Sequence, residues 1–391
     1  PSLGGDHLVP GPQDTLGGPA GHELLHDEPL GHLPAELVQG RGGRGGGGDA
    51  DVNLTIQDVD FELIDGSTVF MYAFCETGKA PTIPGPIIRV REGRTVTVKI
   101  TNLSTRPHGF QVPGQANSSL SSVPPSGGEA TVTFTAGKPG TYFYLDPDMS
   151  PLNRLLGLHG AFVVEPENGR TSNNNRMPYS PADVPPGSPI DKLFGALGTT
   201  ARFPGDDWDD SRDMVWIFNQ IDPRWCQRAA DGQVDASMLS SIWADFKPRY
   251  FTINGLCGID AAHDKNTCPR GTIGEPLIIR CMNAGLACHS PHIHGNHVFM
   301  LTDTQRSTGA VTFNRNVIER DVWTMESGCI QDCLLPFTAP PDVPPNAWPP
   351  RQEKFPLSYP MHCHNEISQT SAGGSYPMGL MTDWEIDGLH S

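Results

Sequence analysis

The chain has 391 residues and a formal charge of −17, with 37% hydrophobic and 18% charged residues. No run approaches the roughly 18 uninterrupted apolar residues of a membrane span. The acidic balance excludes a basic nucleic-acid-binding surface, because phosphates would be repelled. The 44 glycines and 38 prolines have no collagen-like period, which points to short strands joined by turns and excludes long helices.

Residues 1–50 are rich in Gly, Pro and His, lack periodicity and end in RGGRGGGG. They read as a flexible extension with too few apolar groups to offset its ordering entropy. Its histidines (His7, His22, His26, His32) read as solvated rather than as a metal site, and it carries no recognisable signal peptide. From Asp51 the texture becomes β-rich. VNLTIQDVDFELI and TVTVKITNL (95–103) alternate apolar and polar residues, and TVTFTA (131–136), KPGTYFYL (138–145) and GAFVVEP (160–166) add strands. PTIPGPIIRVREG (81–93) reads as a sheet edge. About seven short strands across 51–167 are the pattern of a β-sandwich.

Residues 168–205 are linker-like in composition. A second β-rich unit, 206–391, has its clearest strands in 214–221, 250–256, 275–285, 292–301 and 378–386, with a proline-rich connection at 336–356. PIIRVREGRTVTVKITNLSTRPHG and PLIIRCMNAGLACHSPHIHG form a weak internal repeat. The expectation is an all-β chain of two sandwiches of one kind. Trp216, Trp225, Trp323 and Trp384 read as core residues. Nine cysteines suggest up to four disulfides plus one thiol with another task, in a secreted or periplasmic protein. Cys257 with Cys268 and Cys329 with Cys333 read as disulfides, with Cys75, Cys226, Cys281 and Cys288 as further partners.

The chemistry concentrates in Cys288-His289-Ser290-Pro291-His292-Ile293-His294 and in Pro360-Met361-His362-Cys363-His364, followed by Met378. Strand residues two apart share a face, so His292 pairs with His294 and His362 with His364. If the two strands are neighbours, four imidazoles converge on one side. Cys363 points to the other side, and His289 has its parity. One HxH alone is most simply an ordinary strand pair. Two of them, one with a central Cys and a downstream Met, point to metal. Thiolate, imidazole and thioether together favour copper, and an imidazole cluster suits Cu(II) or Zn.

In these segments the sequence resembles the multicopper oxidases, built of Greek-key cupredoxin sandwiches. The resemblance covers residues 51–390, with PGPIIRVREG and GTYFY…GLHGAFVVEP as further landmarks, and is nearest to the two-domain, commonly trimeric branch. It implies that His289, Cys363 and Met378 hold the type 1 copper where electrons enter. It also implies that His292 is a type 2 ligand and that His294, His362 and His364 are type 3 ligands. Its partners would be a small-molecule or metal-ion reductant and O2.

Three departures qualify the match. The first-domain HxHG becomes Arg106-Pro107-His108-Gly109, keeping only His108 as a candidate ligand. The HxH after GTYFY becomes Leu145-Asp146-Pro147, and nearby His159 reads as a packing residue. Ser368 stands where the family has a type 1 histidine. The expectation is a copper-dependent oxidoreductase with a reduced site of His292, His294, His362 and His364, joined by His108. The rival reading is a copper-binding or storage protein without turnover.

Overall fold

The computed structural model describes residues 49–197, 208–209, 211–351 and 353–389. The N-terminal reading, including its four histidines, lies outside them. Strands take up 40% and helices 13%, and no described helix exceeds the nine residues of Pro189–Leu197. The alternation read from the sequence becomes burial: in Thr95–Asn102, Val96, Val98 and Ile100 point inward while Lys99 between them is exposed. That two-residue period gives each strand one core face.

In the N-terminal half, four strands lie in the order Thr68–Glu76, Ala50–Glu62, Thr95–Asn102 and Gly128–Thr135. The second sheet is Ile88–Arg91, His159–Glu165 and Gly140–Leu145. Val52, Ile56 and Val98 of one share a core with Val90, Phe162 and Val164 of the other. The C-terminal half repeats the plan. Its larger sheet contains Asp213–Ile221 between Tyr250–Ile253 and Leu277–Asn283. Its smaller sheet is ordered Arg270–Thr272, Met381–Gly388, Leu357–Cys363 and Pro291–Ile293.

Trp216 and Ile279 of the larger sheet meet Met361, Cys363 and Trp384 of the smaller one in a second core. The weak repeat has a topological counterpart. In each half the first strand pairs in parallel with the strand of the repeated segment: Ala50–Glu62 with Thr95–Asn102, and Asp213–Ile221 with Leu277–Asn283. Among the described residues, no sheet mixes strands from before residue 166 with strands from after residue 212. Trp225 and Trp323 are buried as expected, as are Trp216 and Trp384.

Two expectations need correction, and one stretch gains detail. In the linker-like stretch from 168 onward, Met177, Tyr179, Val184, Ile190 and Phe194 cluster with Ile278, Leu301 and Leu334 of the C-terminal half. Its apolar residues, scattered between prolines and polar residues, carry no periodicity, so their common burial is invisible in the sequence. The run 292–301 is two strands, Pro291–Ile293 and Val298–Met300, separated at Gly295. Gly295 has φ +73°, and a Cβ there would lie 2.9 Å from the Tyr359 ring. Finally, all nine cysteines are free thiols in the structure. Cys333 lies in the extended strand Ile330–Leu335 and Cys329 immediately precedes it. A rise of about 3.3 Å per residue separates these two well beyond disulfide reach.

Candidate metal centre

The strand pair Pro291–Ile293 and Leu357–Cys363 builds the site. It is antiparallel, with His292 opposite His362 and Pro291 opposite Cys363. Because neighbours on a strand alternate, the outer face collects imidazoles and the inner face collects sulfur. On the outer face, ligand atoms of His292, His294 and His362 lie within 4.8 Å of one another. Nε2 of His294 is 3.0 Å from Nε2 of His362. His364 completes the group, its ring stacked on His362 at 5.3 Å and 4.6 Å from His292.

Two backbone carbonyls orient the rings. Nδ1 of His292 donates to the Asp321 carbonyl (3.0 Å) and Nδ1 of His362 to that of Cys363 (3.3 Å), which puts the lone pair of each ring on Nε2; that of His362 accepts from His294 Nε2–H. That is the arrangement in which the second ring nitrogen of a metal-ligating histidine is held. His294 and His364 are exposed and the other two half-buried, so the group opens to solvent. Partial burial, then the charges of neighbouring histidines, lowers the pKa of His294 and of His362. Both effects favour the neutral imidazole that binds metal.

The inner face is a different environment. Cys363 and His289 are fully buried between the sheets, and Phe218 and Phe251 meet the His289 ring edge-on. Nδ1 of His289 lies 3.6 Å from Sγ of Cys363 and 3.2 Å from Oγ of Ser368. Sγ also accepts from the backbone N–H of Ser290 (3.3 Å) and Asn365 (3.4 Å). Burial pushes the His289 pKa down to about 4 and that of the Cys363 thiol up. Met378 is half-buried on the loop entering Met381–Gly388. Its Cα sits where a Cβ on Gly258 would come to 2.7 Å, so only glycine fits there. Sequence reasoning missed Gln220, which is 1% exposed and has its Nε2 2.8 Å from Nε2 of His289. An amide inside the apolar run MVWIFNQI was the available signal.

The remaining candidate, His108, stands apart. Its Nδ1 donates to Asp146 Oδ2 at 2.8 Å, its ring packs on Tyr72 with centroids 4.6 Å apart, and its side chain is 1% exposed. Asp146 also accepts from the Gly109 and Asp148 backbones and from the Asn153 amide. Asp146, inside the stretch where the resemblance expects HxH, thus ties down His108. His159, also fully buried, donates from Nδ1 to the Arg154 carbonyl at 2.7 Å. Neither ring touches the four outer imidazoles among the contacts of the described residues.

Residues 78–169 match the family model described as multicopper oxidase. Over this stretch the chain is similar to multicopper oxidases. The matched residues include His108 and the Leu145-Asp146-Pro147 stretch, whereas the four outer imidazoles lie beyond them. A probable nitrite reductase-hydroxylamine oxidoreductase fusion protein of Kuenenia stuttgartiensis is 33% identical over 141 residues, 32% of this chain and 16% of that protein. A copper-containing nitrite reductase of Neisseria meningitidis serogroup A is 35% identical over 94 residues, 22% of this chain and 24% of the relative. The chain therefore spans less than a quarter of the length of these curated relatives. Among solved structures, a blue copper oxidase from Nitrosomonas europaea has a TM-score of 0.61 at 20% identity, covering 86% of this chain and 85% of that one. A copper nitrite reductase from the same organism has a TM-score of 0.53 at 17% identity, covering 86% and 94%. The fold of the chain is cupredoxin-like.

Proposed function

We propose that the chain is a copper-dependent oxidoreductase whose metal is held by His292, His294, His362 and His364, and that it oxidises a small reductant or metal ion with O2 as acceptor. The observation that carries this reading is the 3.0 Å approach of the His294 and His362 Nε2 atoms beside two further rings. Similarity to multicopper oxidases and copper nitrite reductases implies copper, and a set of imidazoles suits Cu(II). Copper bound there would supply one-electron exchange. The protein's part is to hold His292 and His362 by their Nδ1 atoms and to leave the outer face open to small reactants.

In a trimer of the kind the resemblance implies, His108 is the ligand a neighbour's N-terminal half would offer. Within one chain His108 is buried against Tyr72 and held through Nδ1 by Asp146, with its Nε2 buried and without a hydrogen-bond partner. Within one chain the four outer imidazoles supply the donor set for about one copper. Asp146→Ala supplies a check. Stranding the buried donors of His108, Gly109 and Asn153 is expected to cost about 2 kcal/mol or more of stability, while copper per folded chain stays unchanged. Urea denaturation and metal analysis read the two effects separately.

The loss of N-terminal ligands favours a second reading, copper binding without turnover. Copper titration of the full chain, followed by oxygen-uptake measurements with a small reductant, separates the two. Copper uptake with reductant-dependent oxygen consumption supports the enzyme, and uptake without consumption supports the second reading. A chain that takes up no copper would sink both.

A further inference from the structure

We infer that the inner pocket of Cys363, His289 and Ser368 does not take copper, and that Gln220 excludes it by locking the His289 tautomer. This goes beyond the outer-site reading and holds whether or not the four outer imidazoles bind metal. The orientation of the Gln220 amide is set by its surroundings. Its Oε1 accepts from the backbone N–H of both Leu286 and Ala287, each at 3.1 Å. The amide nitrogen therefore faces His289 and donates to Nε2 at 2.8 Å. Turning the amide over would set its NH2 against two backbone N–H groups inside the core.

An imidazole whose Nε2 accepts a hydrogen bond carries its proton on Nδ1. Nδ1 is the atom that faces Cys363 and Ser368. It thus presents an N–H to the pocket where a metal would need a lone pair. Moving the proton to Nε2 would place two donors head to head at 2.8 Å. Ser368 supplies a hydroxyl where a second imidazole nitrogen would complete the set. The pocket is left with a thiol and no available nitrogen ligand, so electrons have no copper to enter through at Cys363. A reductant must instead meet the outer imidazoles directly at their solvent face.

The test has a magnetic-resonance arm and an optical arm. In the full chain labelled with 15N-histidine, before copper is added, His289 should show Nδ1 protonated and Nε2 unprotonated. In Gln220→Glu the carboxylate keeps both backbone donors and accepts from Nε2–H, so the proton should move to Nε2. After addition of Cu(II), wild type and Ser368→His should both lack the intense visible thiolate-to-copper absorption. The double variant Ser368→His/Gln220→Glu should gain it and lose it again when Cys363→Ser is added. An intense band in wild type, a band in Ser368→His as strong as in the double variant, or a proton on Nε2 in wild type would each overturn the inference.

Discussion

His362→Ala should weaken copper binding by at least about 100-fold, equivalent to about 2.7 kcal/mol. His362 is central to the group. It pairs with His292 in the strand register, its Nε2 lies 3.0 Å from that of His294, and its ring stacks on His364. Removing it deletes a donor and also the surface that aligns two others. The substitution sits on the half-buried outer face and should change folding stability by no more than about 0.5 kcal/mol. A chelator-competition titration measures the affinity and a urea midpoint the stability. Unchanged affinity in a normally folded variant would move the copper elsewhere.

The second large effect concerns stability. Arg280→Met should lower the unfolding free energy by about 3–5 kcal/mol, because it strands buried carboxylates. Arg280 donates to Asp213 from Nε (2.8 Å) and Nη2 (2.6 Å), and to Asp332 from Nη1 (3.0 Å), with side-chain exposures of 2%, 4% and 0%. Thr141 and Tyr179 donate to Asp332, and Arg89 adds a second guanidinium at Asp213. The network thus joins strands of both halves to the packed segment after residue 168. Burial by itself would raise the Asp213 carboxyl, but Arg280 and Arg89 outweigh it and hold the pKa at about 2. Its stabilising share is therefore full above the unfolded carboxylate value of about 3.9 and is lost as pH falls through about 2. Arg280→Lys keeps the charge without the planar fork and should cost less. Urea unfolding at neutral pH checks both variants, and a loss below about 1 kcal/mol for Arg280→Met would refute the argument.

Much of the fold was legible because alternation is local. Val96, Val98 and Ile100 declare a buried face whatever lies opposite them. The split at Gly295 was not legible, because it depends on where the Tyr359 ring packs. The contribution of 177–197 to a core was hidden for the same reason. Cys329 and Cys333 show the reverse error: a spacing that suggested a bond lies along an extended backbone that keeps the two apart.

At the site, the sequence by itself determined which side chains travel together. The two-residue strand period puts His362 on one face and Cys363 on the other; His364, one residue past the strand end, keeps the alternation through its N–H bond to the Ser290 carbonyl (2.8 Å). Only the tertiary structure decided that Pro291–Ile293 lies beside Leu357–Cys363, that His108 is tied to Asp146, and that Gln220 meets His289 from a strand in the opposite sheet. Those contacts join residues 38 to 72 positions apart along the chain. They arise from which faces are buried together, a property of the assembled sandwich that no local pattern encodes.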